Sequence, residues 1–284
     1  MHEQNVAVGA VGPTSPALLQ VARGVADVWA RPGRGGEDDR LTQALLGRPA
    51  AVLEERGAWA RVRLPDYEGW VEQAHLAAPA ADETLEVLVV TALAAPLCAA
   101  AAGDTVLDEA YLGTALPLLG AEGARWRVAL PGGREAWLGR GAGEVRPRAA
   151  PFPPQSAAHA VAVARQLVGT PYLWGGGTVR GIDCSALVQL AYALSGYALP
   201  RDADQQWAAL RTVVGREALA AGDLLFFARD GAVVHVALAL GGARFVHALG
   251  EPPLGVCLQS LDPTADDYNA RLDALYLGAR RVVA

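Results

Sequence analysis

The chain has 284 residues and a mass of 29.5 kDa, with 52% hydrophobic and 19% charged residues. This length exceeds one ordinary domain and this composition supplies enough apolar surface for real cores, which excludes a disordered chain. The net charge is -6, every one of the 24 basic residues is an arginine, and no basic cluster is present, so binding to nucleic acid is disfavoured.

The N-terminus lacks the features of a secretory signal. No cationic segment precedes its weak apolar run, which Pro13 and Pro16 interrupt. The three cysteines, Cys98, Cys184 and Cys257, are an odd and sparse set that makes a disulfide framework improbable and leaves at least one free thiol. We therefore expect a reducing, cytoplasmic compartment, while export stays open.

Two segments of the N-terminal half resemble each other. In each, a Leu-Gly pair is followed by two tryptophans eleven residues apart, Trp59 and Trp70 in the first and Trp126 and Trp137 in the second. Short alternating stretches separated by Gly, Pro and acidic turns are typical of small antiparallel barrels. The sequence therefore predicts a duplicated all-β module.

Both segments resemble bacterial SH3-like domains, particularly at the Leu-Gly, Trp and Gly69-Trp70-Val71 positions. The resemblance divides this half of the chain into an N-terminal segment, 1–24, and two SH3-like domains, 25–80 and 84–148. Alone, such domains indicate only a binding or spacer role.

The segment from Val87 to Ala102 carries no charge over nearly the length of a membrane span. It contains Pro96, however, and it is flanked by Glu86 and Asp104 with no arginine nearby. We expect buried strands joined by an Ala-rich loop, and no membrane span.

A third domain is expected over residues 149–284, after the proline-dense linker that runs from Arg146 to Pro154. One helix is predicted from Ser156 to Gly169, and a second starts near Cys184 and stops at Gly196. Strand-like runs follow at Asp223–Phe227, Val233–Leu240, Arg244–Ala248 and Leu275–Val283. Helices followed by antiparallel strands predict an α+β domain.

Cys184 falls in the first turn of the predicted second helix. Unpaired amide N–H groups and the helix dipole favour negative charge there, so we expect this thiol to ionise readily. Its neighbours at helical spacing, Leu187, Val188 and Ala191, are apolar and turn the sulfur toward the sheet. The alternative is a small buried hydrophobe, the more common fate of a single free cysteine.

His235 opens a predicted strand, and His247 lies twelve residues further on, across Gly241-Gly242. With a regular two-residue loop the two imidazoles would lie on opposite faces of the hairpin. We therefore predict either a three-residue loop, Gly241 to Ala243, or a bulge. On this hypothesis His235 is the base for the thiol and His247 fixes its tautomer, whereas each histidine alone could equally be a structural residue.

Five separated motifs make a resemblance specific. They are Tyr172-Leu-Trp174-Gly175-Gly176, Asp183-Cys184-Ser185, Leu199-Pro200-Arg201, Gly222-Asp223-Leu224 and His235-Val236 with His247-Ala248. In order and spacing, these motifs resemble those of the NlpC family of papain-like cysteine peptidases over about residues 155–280. The chain departs from the family at two positions. Ala186 stands where a glycine usually follows Asp-Cys-Ser, and Ala203 stands where a serine often follows Leu-Pro-Arg.

Together with the SH3-like pair, the chain resembles γ-D-glutamyl-L-diamino acid endopeptidases. This resemblance implies that Tyr172 and the Cys184 backbone amide hold the oxyanion, and that Asp183 meets the free amino group of an L-Ala-γ-D-Glu unit. It also implies substrate-binding positions at Trp174 and Ser185, and at Tyr67 and Asp39 from the first SH3-like module. For these last two, the alternatives are ordinary barrel surface and a solvated acidic loop, Glu37-Asp38-Asp39.

The fold expected overall is multidomain, with two small all-β SH3-like barrels followed by an α+β papain-like domain. The expected function is hydrolysis of the γ-D-glutamyl-L-diamino acid bond in murein-derived peptides with free L-Ala, for cell-wall peptide recycling. A thiol amidase or acyltransferase and a non-catalytic murein-peptide binder are the alternatives. No metal or organic cofactor is implied, because His75, His159 and Cys257 lack zinc-ligand spacing. The preferred diamino acid and the oligomeric state stay open.

Overall fold

The computed structural model describes residues 17–33, 35–36, 39–80 and 84–283. Most of the expected N-terminal segment, including Pro13 and Pro16, lies outside the described residues, as do Glu37 and Asp38. Within the described part of the chain, no helix combines the length and apolar character needed to cross a membrane.

Two seven-stranded antiparallel sheets occupy the N-terminal half. The strands of the first are β1 (Leu18–Val21), β2 (Val25–Trp29), β3 (Arg40–Leu45), β4 (Pro49–Arg56), β5 (Trp59–Arg63), β6 (Glu68–Glu72) and β7 (Leu76–Ala77). Those of the second are β8 (Glu86–Val90), β9 (Ala94–Cys98), β10 (Val106–Tyr111), β11 (Ala115–Glu122), β12 (Arg125–Leu130), β13 (Arg134–Gly139) and β14 (Gly143–Pro147).

The two sheets have the same strand order. It is β3-β2-β6-β5-β4-β1-β7 in the first sheet and β10-β9-β13-β12-β11-β8-β14 in the second, which is the first order shifted by seven strands. Gly47 and Gly113 occupy matching turns and have positive φ angles of 81° and 89°, a conformation that glycine adopts without strain. The two segments with the repeated tryptophan spacing therefore form sheets with the same strand order.

Two details refine the sequence analysis of this half. β1 pairs with β4 and with β7, so the first sheet already begins at Leu18, ahead of the expected boundary at residue 25. The uncharged segment from Val87 forms the strands β8 and β9, and its residues Val87 to Val90 are buried. The expectation of buried strands in this segment is confirmed.

The C-terminal half combines helices with an antiparallel sheet. Its helices are α1 (Ala157–Gln166), α2 (Cys184–Ala193), α3 (Ala203–Ala209) and α4 (Ala270–Leu275). The short strands β15 (Gly177–Thr178) and β16 (Gly181–Ile182) pair with each other just before α2. A six-stranded sheet, ordered β17-β22-β18-β19-β20-β21, consists of β17 (Thr212–Val214), β18 (Leu224–Arg229), β19 (Ala232–Gly241), β20 (Arg244–Leu249), β21 (Gly255–Ser260) and β22 (Tyr276–Arg281).

The predicted helices and strands of this half are present, while α3, α4, β15, β16, β17 and β21 were not predicted. The apolar stripe of α2, which includes Leu187 and Val188, is fully buried in one cluster with Val236 and Leu238 of β19. Burying side chains of this size stabilises the fold by roughly 1.5–3 kcal/mol each. This packing fixes the N-terminal tip of α2 above the end of the sheet.

The first sheet is joined to the C-terminal half by hydrogen bonds from β3. The Gln43 side chain accepts a hydrogen bond from the Gly177 N–H at 2.9 Å, and Thr42 Oγ1 accepts one from Arg201 Nε at 2.8 Å. Arg40 donates through Nη1 to the Trp174 carbonyl at 3.1 Å. One face of the first sheet therefore lies against the loop that precedes α2.

Candidate active site

Cys184 is the first residue of α2, and the preceding residue caps the helix. Asp183 Oδ1 accepts a hydrogen bond from the Ala186 N–H at 2.8 Å, which satisfies one of the free amides of the first turn. The preceding loop closes on the same carboxylate, because Gly175, at a positive φ of 68°, donates its N–H to Asp183 Oδ2 at 3.0 Å. A β-carbon at Gly175 would stand 2.7 Å from the Arg40 carbonyl oxygen, so this position requires glycine.

The Cys184 thiol is protonated in this environment. Burial raises its pKa to about 12, and the Asp183 charge adds to the increase. The Val236 and Ser185 backbone N–H groups and the Arg201 charge act in the opposite direction. Burial and the Asp183 charge therefore oppose the ready ionisation that was expected for this thiol at the helix terminus.

The β19–β20 hairpin brings the two histidines together. Ala239 pairs with Phe245 and Gly241 pairs with Arg244, so Leu240 has no pairing partner and forms a bulge. The bulge moves both imidazoles to one face, and His235 Nε2 lies 2.9 Å from His247 Nδ1. The predicted bulge is confirmed.

Both imidazoles are neutral at neutral pH. Burial lowers the pKa of His235 well below 6.5, and the His247 and Arg271 charges lower it further. Burial also lowers the pKa of His247, to about 4, although a hydrogen bond with Gln259 opposes the change. Cys184 and His235 line the same cavity, and a neutral imidazole can accept a proton from a neutral thiol.

Strand β21 supplies partners for the far side of His247. Cys257 is its directly opposite residue, with Sγ 3.4 Å from His247 Nε2. Gln259 hydrogen-bonds to His247, and its Oε1 also accepts from Asn269 Nδ2 at 2.6 Å. With its Nε2–H directed at these groups, His247 keeps Nδ1 as the acceptor for His235 Nε2–H. The remaining His235 nitrogen, Nδ1, is then available to the thiol.

A cleft runs over the sulfur. It consists of a cavity of about 480 Å³ on one side of Cys184 and one of about 330 Å³ on the other. Tyr172, Trp174, Cys184 and Val234 line both cavities, and His235 lines the smaller one. The thiol is therefore open to a ligand that lies across both cavities. The Sγ atom also accepts from the N–H of Val236, the residue that follows His235.

The larger cavity is acidic. Asp202 and Asp204 lie in its wall, and Tyr67 from the first sheet donates its hydroxyl to Asp202 Oδ2 at 2.9 Å. Burial raises the pKa of Asp202, and burial together with the Asp202 hydrogen bond raises the pKa of Tyr67 to about 12. Tyr67 therefore stays a hydrogen-bond donor. Neither aspartate was predicted, although both follow directly on the Leu-Pro-Arg motif.

Five of the six predicted substrate-binding residues line the larger cavity: Tyr172, Trp174, Asp183, Ser185 and Tyr67. Burial also raises the pKa of Tyr172, which keeps its hydroxyl protonated. Asp39 does not line the cavity and instead accepts two hydrogen bonds from Arg31, at 2.8 and 2.9 Å. The cavity therefore does not support the substrate-binding position that the resemblance implies for Asp39.

Asp183 reaches the cavity wall, but other groups occupy its carboxylate. Besides the Gly175 and Ala186 amides, Oδ1 accepts from Ser185 Oγ at 3.1 Å, and Arg201 holds both oxygens, at 3.0 and 2.5 Å. With its charge neutralised and its acceptor sites filled, Asp183 is a poor partner for an ammonium group. In the free protein Asp183 caps and positions α2, and the role toward the substrate amine that the resemblance implies for it stays a prediction.

In the described ranges, no group of three or more His, Cys, Asp and Glu side chains is arranged to hold a metal ion.

Two family models match the chain. Residues 169–262 match the NlpC/P60 family, and residues 34–76 match the bacterial dipeptidyl-peptidase Sh3 domain. The first match contains Cys184, His235 and His247, and the second lies within the first sheet.

Curated relatives extend the similarity to most of the chain. A γ-D-glutamyl-L-lysine dipeptidyl-peptidase from Bacillus cereus is 32% identical over 73% of this chain and 66% of its own length. Its namesake from Bacillus subtilis is 30% identical over 82% of this chain and 79% of its own length. The crystal structure of an NlpC/P60 family protein from Bacillus cereus superimposes with a TM-score of 0.83 at 26% identity, covering 94% of this chain and all of that one.

Proposed function

The chain belongs to the NlpC/P60 family, and we propose that it is a cysteine peptidase that hydrolyses the bond between γ-D-glutamate and an L-diamino acid in murein peptides with free L-Ala. The observation that carries the proposal is the 2.9 Å contact between His235 and His247 in a cleft that Cys184 also lines. The names of both Bacillus relatives support the same bond.

In the first step, Cys184 Sγ attacks the γ-carbonyl carbon of the D-glutamate while His235 Nδ1 takes the thiol proton. The carbonyl π electrons move to oxygen, and the oxyanion accepts hydrogen bonds from the Tyr172 hydroxyl and the Cys184 backbone N–H. The imidazolium keeps its Nε2–H on His247 Nδ1. The raised pKa of the thiol makes this proton transfer part of the attack, since no thiolate is present beforehand.

In the second step, the oxyanion collapses and the C–N bond breaks. His235 returns its proton to the leaving nitrogen, which departs as the amine of the diamino acid and leaves a thioester on Cys184. His235 then removes a proton from water, whose oxygen attacks the thioester carbonyl. The thiolate leaves, takes the proton back from His235, and L-Ala-D-Glu is released.

The acidic end of the larger cavity suits the free L-Ala amino group. Asp202 is a half-buried carboxylate held by Tyr67, and Asp204 brings a second negative charge to the same wall. Low local dielectric strengthens an ammonium–carboxylate pair at such a site. Arg40 of β3 lines the same cavity, with its Nε 3.0 Å from Asp27 Oδ1, and its guanidinium has the charge needed by the free α-carboxylate of a γ-linked D-glutamate.

The proposal extends to the domain arrangement. The chain combines an SH3 domain with an NlpC/P60 domain. The matching strand order supports a second SH3-like domain over residues 84–148. The first SH3-like domain includes β1 and ends near residue 80, and the peptidase domain covers residues 149–284. Cytoplasmic action on recycled wall peptides is part of the same proposal, since a free L-Ala end is found on peptides that have been cut from the glycan.

The test is incubation of the protein with L-Ala-γ-D-Glu-diaminopimelate and analysis of the products. We expect L-Ala-D-Glu from the wild type and none from Cys184→Ala. Absence of the dipeptide with wild type, or undiminished release by Cys184→Ala, contradicts the proposal.

A matched pair of variants tests the amine site. Asp202→Asn should raise KM for the free peptide by about tenfold or more, because a charge-assisted hydrogen bond is lost. Asp39→Asn removes a carboxylate outside the cavity and should leave KM unchanged. N-acetylation of the substrate should weaken binding to the wild type and erase the difference between the wild type and Asp202→Asn. Equal effects of the two substitutions on KM would mean that the substrate amine does not bind at Asp202.

A further inference from the structure

The smaller cavity of the cleft differs in charge from the larger one. Its volume is about 330 Å³, and its charged lining residues are Arg229, Arg271 and Glu251. The apolar side chains Leu249, Leu272 and Leu275 line the same cavity. The cavity therefore combines apolar side chains, which suit methylene groups, with charged side chains, of which Arg271 and Glu251 are about half exposed at what we call its mouth.

The position of His235 assigns this cavity to the leaving group. His235 lines the smaller cavity and is absent from the lining of the larger one. In the proposed reaction, the imidazolium must deliver its proton to the departing nitrogen, so the diamino acid lies on the side of His235. This step of the inference rests on the proposed function.

The charges at the mouth do not cancel. Arg271 pairs with Glu251, while Arg229 acts on the same carboxylate and helps to lower its pKa. Two guanidinium groups thus face one carboxylate, a balance of +1. Arg271 is 45% exposed and Glu251 is 58% exposed, so both can exchange their mutual contact for a ligand.

The diamino acids of murein peptides differ in charge at this place. A C-terminal L-lysine or L-ornithine residue has one carboxylate and one ammonium group, which sum to zero. A C-terminal meso-diaminopimelate residue carries a second carboxylate at the far end of its side chain, next to the ammonium, and sums to −1. Arg229 and Arg271 match the additional carboxylate, and Glu251 matches the ammonium.

We propose that this cavity is a leaving-group subsite that selects meso-diaminopimelate over L-lysine and L-ornithine, with Arg229 and Arg271 binding the additional carboxylate. The leucines contact the methylene chain between the two ends of the residue. Selection at this subsite goes beyond the relatives, whose names specify L-lysine.

The experiment compares three tripeptides that share L-Ala-γ-D-Glu and differ only in the third residue. We expect wild-type kcat/KM for the diaminopimelate peptide to exceed those for the lysine and ornithine peptides by about tenfold, as for one charge-assisted contact. Arg229→Gln and Arg271→Gln should each reduce this ratio, and the double variant should bring it close to one without a comparable loss on the lysine peptide. Arg165→Gln, a matched loss of charge on the exposed side of α1, should leave the ratio unchanged.

The outcomes distinguish failure of the subsite from failure of the proposed peptidase activity. A wild-type ratio near one, or arginine variants that slow all three peptides equally, overturns the subsite while the proposed peptidase activity stands. Failure to cleave any of the three peptides overturns the proposed function and this inference with it. Binding of the intact peptides to Cys184→Ala, measured by calorimetry, should show the same order of preference, and an order that favours lysine overturns the subsite independently of turnover.

Discussion

Arg201 binds both carboxylate oxygens of Asp183, with Nη1 3.0 Å from Oδ1 and Nη2 2.5 Å from Oδ2. Both side chains are almost completely buried, and Arg201 also donates to Ser185 Oγ and to Thr42 Oγ1 of the first sheet. One guanidinium therefore links the cap of the nucleophile helix to the neighbouring domain. The placement of Cys184 depends on this pair, since Asp183 also holds the first turn of α2.

Arg201→Met should destabilise the protein strongly. The substitution leaves the Asp183 charge buried without its partner, a change that costs roughly 3–5 kcal/mol in buried pairs. Arg180→Met is the matched control, because Arg180 is 64% exposed in its ion pair with Glu109, and solvent screening makes the loss of such a pair affect stability little. Urea unfolding of both variants measures the difference, and equal losses would contradict the role given to Arg201.

His247→Leu should lower kcat by about 100-fold or more while KM changes little. Without the acceptor at Nδ1, His235 loses both its orientation and the stabilisation of its charged form, which general acid–base steps require. His247→Gln keeps an acceptor oxygen and should retain more activity than His247→Leu. Steady-state kinetics on the tripeptide distinguish the two, and wild-type kcat in His247→Leu would remove His247 from the mechanism.

The free enzyme should react slowly with iodoacetamide at Cys184 at pH 7, and faster as the pH rises through 9. The reason is that burial raises the pKa of this thiol to about 12, so the reactive thiolate is scarce at neutral pH. Mass spectrometry of the modified peptides resolves Cys184 from Cys98 and Cys257. A rate that is already constant between pH 6 and 9 would instead indicate a thiolate formed in advance.

The buried histidines should make the protein sensitive to acid. Their pKa values are lowered on folding, so below about pH 6.5 the unfolded chain binds protons that the folded chain does not. Stability from these groups is therefore present above this pH and lost as the pH falls toward 4, at about 1.4 kcal/mol per pH unit for each histidine. His247→Gln should flatten this part of the curve relative to wild type in unfolding measured from pH 7 to pH 4. Parallel curves would mean that His247 is not buried in its neutral form.

The hairpin and the repeat could be predicted from the sequence because each depends on local spacing. The twelve-residue interval between His235 and His247 determines whether their side chains lie on the same face of a regular hairpin. Because the two imidazoles can meet only on a common face, the interval predicts the bulge. The Trp59–Trp70 interval recurs because the same pair of strands recurs.

The electrostatics of the site could not be predicted in the same way. The thiol pKa depends on how deeply the loop at Tyr172 and the first sheet cover Cys184, and spacing does not reveal this depth. Likewise, the sequence does not distinguish the roles of Asp183 and Asp202. Only the fold shows that Arg201 binds the Asp183 carboxylate, whereas Asp202 lines the cavity without an arginine partner among the described residues.

The central claim is that Cys184 forms a thioester with the L-Ala-γ-D-Glu unit. Acid-quenched mixtures of enzyme and L-Ala-γ-D-Glu-diaminopimelate, analysed by peptide mass spectrometry within the first turnover, test it most directly. We predict the mass of an L-Ala-γ-D-Glu acyl group on the peptide that contains Cys184, disappearing as free dipeptide accumulates. Dipeptide formed with no such acyl group, or with the acyl group on another residue, would contradict the account.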